Sequence, residues 1–261
     1  MAPTLDYLRT IAKAAGKILK DGYGQEHEIG YKGEIDLVTE VDHRSEAYLI
    51  EAIREGFPED TIITEESGDL NGRGCGTWYI DPLDGTLNYA HAIPMFAVSI
   101  AYADTEGMRL GVVYDPLREE CFSAERGQGA WLNGRPIHVS DTAELIHSLL
   151  VTGFPYDMLT TPQNNLDHFS HLSLKTQGVR RFGSAALDLC YVAAGRFDGY
   201  WELKLSAWDI AAGLLIAQEA GAIVTDTQGE AQVMRPPYAI LAANPALYPL
   251  ILSEISEYPV K

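Results

Sequence analysis

Basic side chains are scarce in this chain: 19 lysines and arginines stand against 37 aspartates and glutamates, a formal net charge of −18 over 261 residues. A surface of that sign repels a phosphate backbone, so no nucleic-acid partner is expected unless metal ions intervene. Cysteine is scarcer still. Cys75, Cys121 and Cys190 have neither the spacing nor the even number of a zinc site, a Cys-x-x-Cys redox pair or a disulfide framework, and reduced structural thiols are expected. No stretch reaches the roughly 18 uncharged apolar residues of a membrane span. The opening "MAPTLDYLRTIAKAAGKILKDGYG" interleaves apolar positions with lysine and aspartate at helical spacing, unlike the unbroken apolar core of a signal peptide. These absences predict a cytoplasmic protein with no membrane contact. Internal repeats and low-complexity linkers are missing too, so the parts of the chain are expected to pack around one shared cleft.

Carboxylate is what the chain has in excess. A cluster of carboxylates can gather divalent cations and invert its local sign, after which a small phosphorylated substrate is attracted. The length allows one large domain or two subdomains. Apolar spacing predicts a helix over about residues 4–21 and another over 42–55, the second closed by Gly56 and Pro58. "TIIT", "WYI", "FAVSIAYAD", "RLGVVYD", "ECFSAE" and "GAWLNGRPIHVS" then read as consecutive strands of an antiparallel sheet, with a hairpin turn at Asn133 and Gly134. After about residue 145 strands and helices alternate, from "SLLVTGF" to "PALYPLILSEI", as in an α/β unit. The expected fold class is α/β, with an α+β N-terminal half (1–144) and an α/β C-terminal half (145–261).

The chemistry concentrates in "WYIDPLDGTLNYAHAIP", residues 78–94. Pro82 cannot continue a central ladder, so a tight turn carrying Asp81 and Asp84 is expected there. The Leu83 carbonyl between the two carboxylates completes a hard-oxygen set suited to magnesium rather than zinc. Gly85 and Thr86 would open a short helix with main-chain N–H groups toward an anion, and the Thr86 hydroxyl can orient a water. A plain surface turn explains Asp-Pro-x-Asp-Gly equally well, since all these residue types favour turns. In "TIITEESG", Glu65 and Glu66 point to opposite faces of a strand end, so one can face a cleft, although a solvated pair is the simpler reading of that stretch. Asp209 in "WDIAAGLLIAQEAG" stands at a helix start, where capping accounts for it as well as metal binding does.

Taken in order, these segments resemble the inositol monophosphatase family of magnesium-dependent, lithium-sensitive phosphatases. "WYIDPLDGTLNYAHAIP" looks like its first signature and "WDIAAGLLIAQEAGAIVTD" like its second; "DLVTEVD", "EES" and "GQGAWLNGRPIHVS" are weaker matches in the expected order. The resemblance implies a layered αβαβα sugar-phosphatase fold, a homodimer, and two to three magnesium ions per subunit. Glu65, Asp81 and the Leu83 carbonyl would hold one ion and Asp81, Asp84 and Asp209 a second, while a third, weaker ion would lean on Glu65. Thr86 with Glu65 would position and deprotonate the attacking water, supported by Asp42 and Thr39. Gly85 and Thr86 N–H groups would hold the phosphate. Glu202 in "YWELKLSAWD" matches the contact to substrate hydroxyls, and Gly183 and Ala185 in "RRFGSAALD" match main-chain contacts to the ring. The implied reaction is hydrolysis of myo-inositol 1-phosphate or a close polyol phosphate by direct in-line attack of water. The segment "EIGYKGEI" is about one residue shorter than the family pattern, which weakens Lys32 as a contact for the third ion.

Three rivals remain. Fructose 1,6-bisphosphate, histidinol phosphate or adenosine 3′,5′-bisphosphate could occupy the same metal cage, although the nucleotide-cleaving relatives usually carry lysine where this chain has Leu87. A haloacid-dehalogenase mechanism needs Asp-x-Asp-x-Thr, and the spacing here is Asp-x-x-Asp-Gly-Thr. A non-catalytic binding module would have no reason to keep Glu65, Asp81, Asp84, Thr86 and Asp209 together. His168 and His171 read as surface residues, His91 as a structural hydrogen-bond partner, Trp201 as core or cleft wall, and Ala211, Ala212 and Gly213 as a close-packing turn.

Overall fold

Helix α1 (Leu5–Gly22) forms where the apolar spacing places it in the computed structural model, which describes residues 2–31 and 37–257. Thr4 caps it by accepting the Tyr7 N–H at 3.2 Å, and Leu8, Ile11, Ala12, Ala15 and Leu19 form its buried stripe. A short hairpin of β1 (Ile29–Tyr31) and β2 (Leu37–Thr39) leads into α2 (Glu40–Gly56), which starts ahead of the expected residue 42 because Thr39 caps it. Lys32 lies outside the described residues.

Eight strands make the first sheet: β3 (Thr61–Thr64), β4 (Gly68–Leu70), β5 (Thr77–Asp84), β6 (Ala97–Asp104), β7 (Gly107–Asp115), β8 (Glu120–Glu125), β9 (Gly129–Leu132) and β10 (Arg135–Pro136), in the order β10-β9-β8-β7-β6-β5-β3-β4. Helix α3 (Thr86–Ala90) separates β5 from β6. Asn133 and Gly134 make the β9–β10 turn with φ of +50° and +77°. The sheet is not wholly antiparallel, as the strand pattern suggested: β3 and β5 run parallel. The β3–β4 hairpin folds outward to the edge, so the chain must pass back beneath the start of β3 before β5 can enter on the inner side. That crossing is pinned by Gly74 N–H to the Glu59 carbonyl at 2.6 Å and Gly72 N–H to the Thr61 hydroxyl at 3.1 Å.

A single 3₁₀ turn (Leu145–His147) precedes the second sheet, β11 (Leu149–Thr152), β12 (Gly178–Arg180), β13 (Gly199–Leu205), β14 (Ile223–Thr225) and β15 (Tyr238–Ala243), ordered β12-β11-β13-β15-β14. Helices α4 (Leu166–Ser173), α5 (Ala185–Ala193), α6 (Ala207–Glu219) and α7 (Tyr248–Glu257) alternate with these strands, except that β15 follows β14 directly. β12, β11 and β13 are parallel, while β15 and β14 join antiparallel.

The layers follow from which faces are apolar. α1 and α2 cover one face of the large sheet through a core containing Leu8, Leu49, Trp78 and Ile100. α5 and α6 fill the space between the two sheets, and α6 is buried nearly all round, as a helix in a middle layer must be. α4 and α7 close the far face of the small sheet over Leu150, Trp201 and Leu241. The result is the expected α/β architecture, layered αβαβα. β6, covered on both sides, is accordingly an almost unbroken buried run.

Several local expectations change. His168 is 3 % exposed in α4, and His171 meets Glu254 of α7 at 2.6 Å, so neither is a surface histidine; helix docking supplies a partner remote in sequence. His91 is exposed at the end of α3, with no side-chain hydrogen bond seen among the described residues. Cys121 and Cys190 are buried free thiols, but Cys75 is exposed. Among the described residues no helix is long and apolar enough to cross a membrane.

The small residues of α6 do set its approach. A Cβ on Gly111 of β7 would lie 2.9 Å from the Ala212 carbonyl oxygen and 3.2 Å from its Cα, both backbone atoms of α6. Gly111→Ala should therefore lower stability by about 1–3 kcal/mol, read as the shift of a urea unfolding curve. An unshifted curve would mean that α6 can withdraw from the sheet without loss.

Candidate active site

The site begins as an irregularity in β5. Asp81 pairs with Ser99 and Asp84 with Ala97, so β5 carries one residue more than β6 over this stretch, a β-bulge rather than the tight turn expected at Pro82. A bulge accommodates Pro82 because its extra residue needs no ladder donor. Side chains stabilise the bulge: the Leu83 N–H donates to Asp81 Oδ1 at 3.0 Å and the Ser45 hydroxyl to the Pro82 carbonyl at 2.9 Å. The bend brings Asp81, Leu83 and Asp84 to the floor of a cavity of about 240 Å³. Gly85 then turns the chain into α3 with φ of +94°, where any Cβ would come within 2.9 Å of the Met95 carbonyl.

Glu65, from the end of β3, and Asp209, from the start of α6, line the same cavity, as do Gly85, Thr86, Gly183, Ala185 and Glu202. Thr39 and Asp42 stand behind it. The Thr86 hydroxyl lies 2.9 Å from Asp42 Oδ1 and 3.0 Å from the Leu83 carbonyl. Asp42 Oδ2 accepts both the N–H and the hydroxyl of Thr39, at 2.9 and 2.5 Å. Asp209 caps α6, accepting the Ser206 N–H at 2.7 Å, and still faces the cavity, so the two readings of that residue are compatible.

Sequence reasoning missed the residues that hold this constellation. Ser184 donates to Asp84 Oδ2 at 2.5 Å, and the Ala186 N–H reaches the same oxygen at 2.9 Å, so the N-terminus of α5 receives a carboxylate from the other sheet. Asn88 donates to the Met95 and Phe182 carbonyls at 2.8 and 2.6 Å, joining α3 to the Gly183 loop. A polar residue before an apolar helix is a signal that could have found Ser184 as a cap, but nothing local could reveal its partner. Gly153, Phe154, Tyr156, Arg181, Lys204 and Trp208 complete the walls.

The floor is electrostatically strained. Burial, then the negative charges of Glu65, Asp84 and Asp209, push the Asp81 carboxyl well above the usual carboxylate range. Asp209 is raised by burial against the pull of the Ser206 N–H. Asp84 is raised to about 6 by burial, while the Ser184 hydroxyl and the N–H groups of Ala185, Ala186 and Leu187 hold it down. Among the described residues no three Asp, Glu, His or Cys side chains close on one point as a metal cage. Magnesium does not need such a cage, because one or two carboxylates, waters and substrate phosphate oxygens satisfy it. An all-oxygen donor set whose mutual repulsion a cation would relieve fits that ion.

Glu202 forms the opposite wall. Tyr200, fully buried, donates its hydroxyl to Glu202 Oε2 at 2.7 Å, and a Cβ on Gly153 would collide with the carboxylate. Burial pushes Glu202 up to about 7, against the Tyr200 hydroxyl and the Arg181 charge. Trp201 is core, with its indole N–H on Asn165 Oδ1 at 2.7 Å.

The model of the Inositol monophosphatase family matches residues 1–259. An inositol-1-monophosphatase of Synechocystis is 50% identical over 216 residues, covering 81% of this chain and 75% of that protein. A protein named Nus factor SuhB from Escherichia coli (strain K12) is 42% identical over 260 residues, 98% of this chain and 97% of that one. The solved inositol monophosphatase of Anabaena (Nostoc) sp. PCC 7120 superposes with a TM-score of 0.88 at 44% identity, covering 98% of this chain and 96% of that one.

The raised Glu202 makes a signed prediction. Its proton is favoured by the folded state, so the stability it contributes is complete below the unfolded carboxyl pKa and is lost as pH rises through about 7. In chelator, Glu202→Gln should be more stable than the parent at pH 8, with the advantage shrinking as pH falls toward 5. Unfolding midpoints at the two pH values check this; an equal offset at both would contradict it.

Proposed function

The chain belongs to the inositol monophosphatase family and is a phosphatase of that superfamily, and on that premise we propose a magnesium-dependent phosphomonoesterase that hydrolyses myo-inositol 1-phosphate or a close polyol phosphate. The observation that carries the reading is one cavity lined at once by Glu65, Asp81, Asp84, Thr86 and Asp209 and by Glu202 opposite them. In this reading Glu65, Asp81 and the Leu83 carbonyl hold one magnesium, Asp81, Asp84 and Asp209 hold a second, and a third leans on Glu65. Bound there, magnesium supplies Lewis acidity toward water and the phosphoryl oxygens.

The chain's own groups do the positioning. Asp42, already loaded by Thr39 on one oxygen, accepts the Thr86 hydroxyl's hydrogen bond on the other, which leaves the Thr86 lone pairs to orient the attacking water. Glu65 receives that water's proton. The main-chain N–H groups of Gly85 and Thr86 hold the phosphate in line with the attack. The new P–O bond forms as the ester P–O bond breaks, and the departing alkoxide takes a proton from solvent. Glu202, its rotamer fixed by Tyr200, binds the polyol hydroxyls, and the Gly183 and Ala185 main chain meets the ring. Family resemblance supports a lithium-sensitive homodimer; a cytoplasmic location and a subdomain boundary at 144/145, where the strand–helix rhythm of the sequence changes, belong to the same reading.

A second reading keeps the floor and changes the ester. Arg181 and Lys204 line the cavity beside Glu202, a placement that suits a second anionic group such as that of fructose 1,6-bisphosphate. Phosphate release from inositol 1-phosphate, fructose 1,6-bisphosphate and histidinol phosphate, across magnesium concentrations, separates the two. Preference for the inositol ester supports the first reading, preference for another ester replaces the substrate, and indifference to magnesium sinks both. Asp84→Asn should lower turnover by more than about 100-fold with the fold retained, since loss of an outer-shell partner alone commonly costs about 10–100-fold and Asp84 is read as a ligand itself. Full activity in that variant would remove Asp84 from the metal set.

A further inference from the structure

Helix α2 turns one face of buried polar side chains toward the site without entering the cavity. Asp42, Ser45 and Glu46, at 0 %, 0 % and 3 % exposure, stand at i, i+3 and i+4. Asp42 meets Thr86 and Ser45 meets the Pro82 carbonyl of the bulge. Glu46 meets the last residue of β3 and the segment that follows it. Its Oε2 accepts the Thr64 hydroxyl at 2.7 Å and the Glu66 N–H at 2.9 Å, and its Oε1 accepts the Ser67 hydroxyl. Glu65 is the residue between those anchors.

We propose that Glu46 is a positioning residue, which clamps the chain on both sides of Glu65 and thereby sets the affinity of the cation that Glu65 holds. The proposal rests on the magnesium reading above. All three partners of Glu46 are donors, which an ionised carboxylate satisfies on both oxygens. Glutamine keeps one acceptor for Thr64 and Glu66, while its amide faces the Ser67 hydroxyl, which can rotate to accept. Alanine removes all three bonds and leaves the Glu65 segment to move.

The test is calorimetric titration of magnesium into the metal-stripped full chain, with melting curves in chelator as a separate record of folding. Glu46→Ala should weaken magnesium binding by about 10–100-fold, and Glu46→Gln by less than about 10-fold. Turnover of Glu46→Ala should recover toward the parental kcat as magnesium is raised. In a Glu65→Gln background, Glu46→Ala should add no further loss of affinity, because it acts through Glu65. If Glu46→Ala does not fold, Ser67→Ala removes a single part-buried bond and should show a smaller loss that also vanishes in the Glu65→Gln background. Parental magnesium affinity in a destabilised Glu46→Ala, or an undiminished loss in the Glu65→Gln background, would overturn the proposal. A parent chain that binds no magnesium would instead remove the reading on which it rests.

Discussion

Like charges held close together in a poorly hydrated cleft are the constraint around which this structure is organised. Beyond burial, Glu65, Asp84 and Asp209 raise the proton affinity of Asp81, and Glu65, Asp84 and Glu202 raise that of Asp209. Left to itself such a cluster would swell or neutralise. The fold opposes this with peptide dipoles. Asp42 is bound at the first turn of α2, Asp209 at the first turn of α6, and Asp84 at the first turn of α5. The N-termini of α5 and α6 thus face the acidic floor and that of α2 stands behind it, each supplying partial positive charge and N–H donors to a carboxylate.

The same arrangement explains why both sheets are needed. Asp84 leaves β5 of the large sheet and is received by α5, which packs beside α6 between the sheets. Glu202 comes from β13 of the small sheet, and its distance from the floor is set by how closely the middle layer packs. Gly111 against Ala212 and Gly213 against Leu189 bring α6 close to its neighbours on two sides. Packing in the middle layer therefore fixes the width of a polar cleft that no strand or helix could form alone.

Floor and wall answer to different physics. The floor is determined by charge, and its members are anchored by hydrogen bonds to main chain. The wall is determined by shape: Glu202 is held by Tyr200 and crowded by Gly153, with Arg181 and Lys204 beside it. A change at the wall can alter which ester fits while the floor stays intact, whereas a change at the floor alters the chemistry itself. Relatives named inositol-1-monophosphatase and Nus factor SuhB align with 81% and 98% of this chain, which shows how far one scaffold carries different names.

Local pattern was enough for α1, for the alternating second half and for the Asn133–Gly134 hairpin, because amphipathic spacing and turn chemistry act within a few residues. The proximity of Asp81 and Asp84 and the clustering of small residues in α6 were equally visible. The bulge at Pro82 was not, since a proline can leave a strand by turning or by bulging, and the pairing with β6 decides which. The parallel β3–β5 pair depended on a crossing beneath the strand start. His171 and Glu254, Ser184 and Asp84, and Glu46 and Ser67 are separated by 83, 100 and 21 residues. Sequence determined which residues could carry charge and placed Asp42 and Asp209 within reach of their own helix starts; only the tertiary structure decided that the start of α5 would receive Asp84 from the other sheet, because that choice is made by packing between layers.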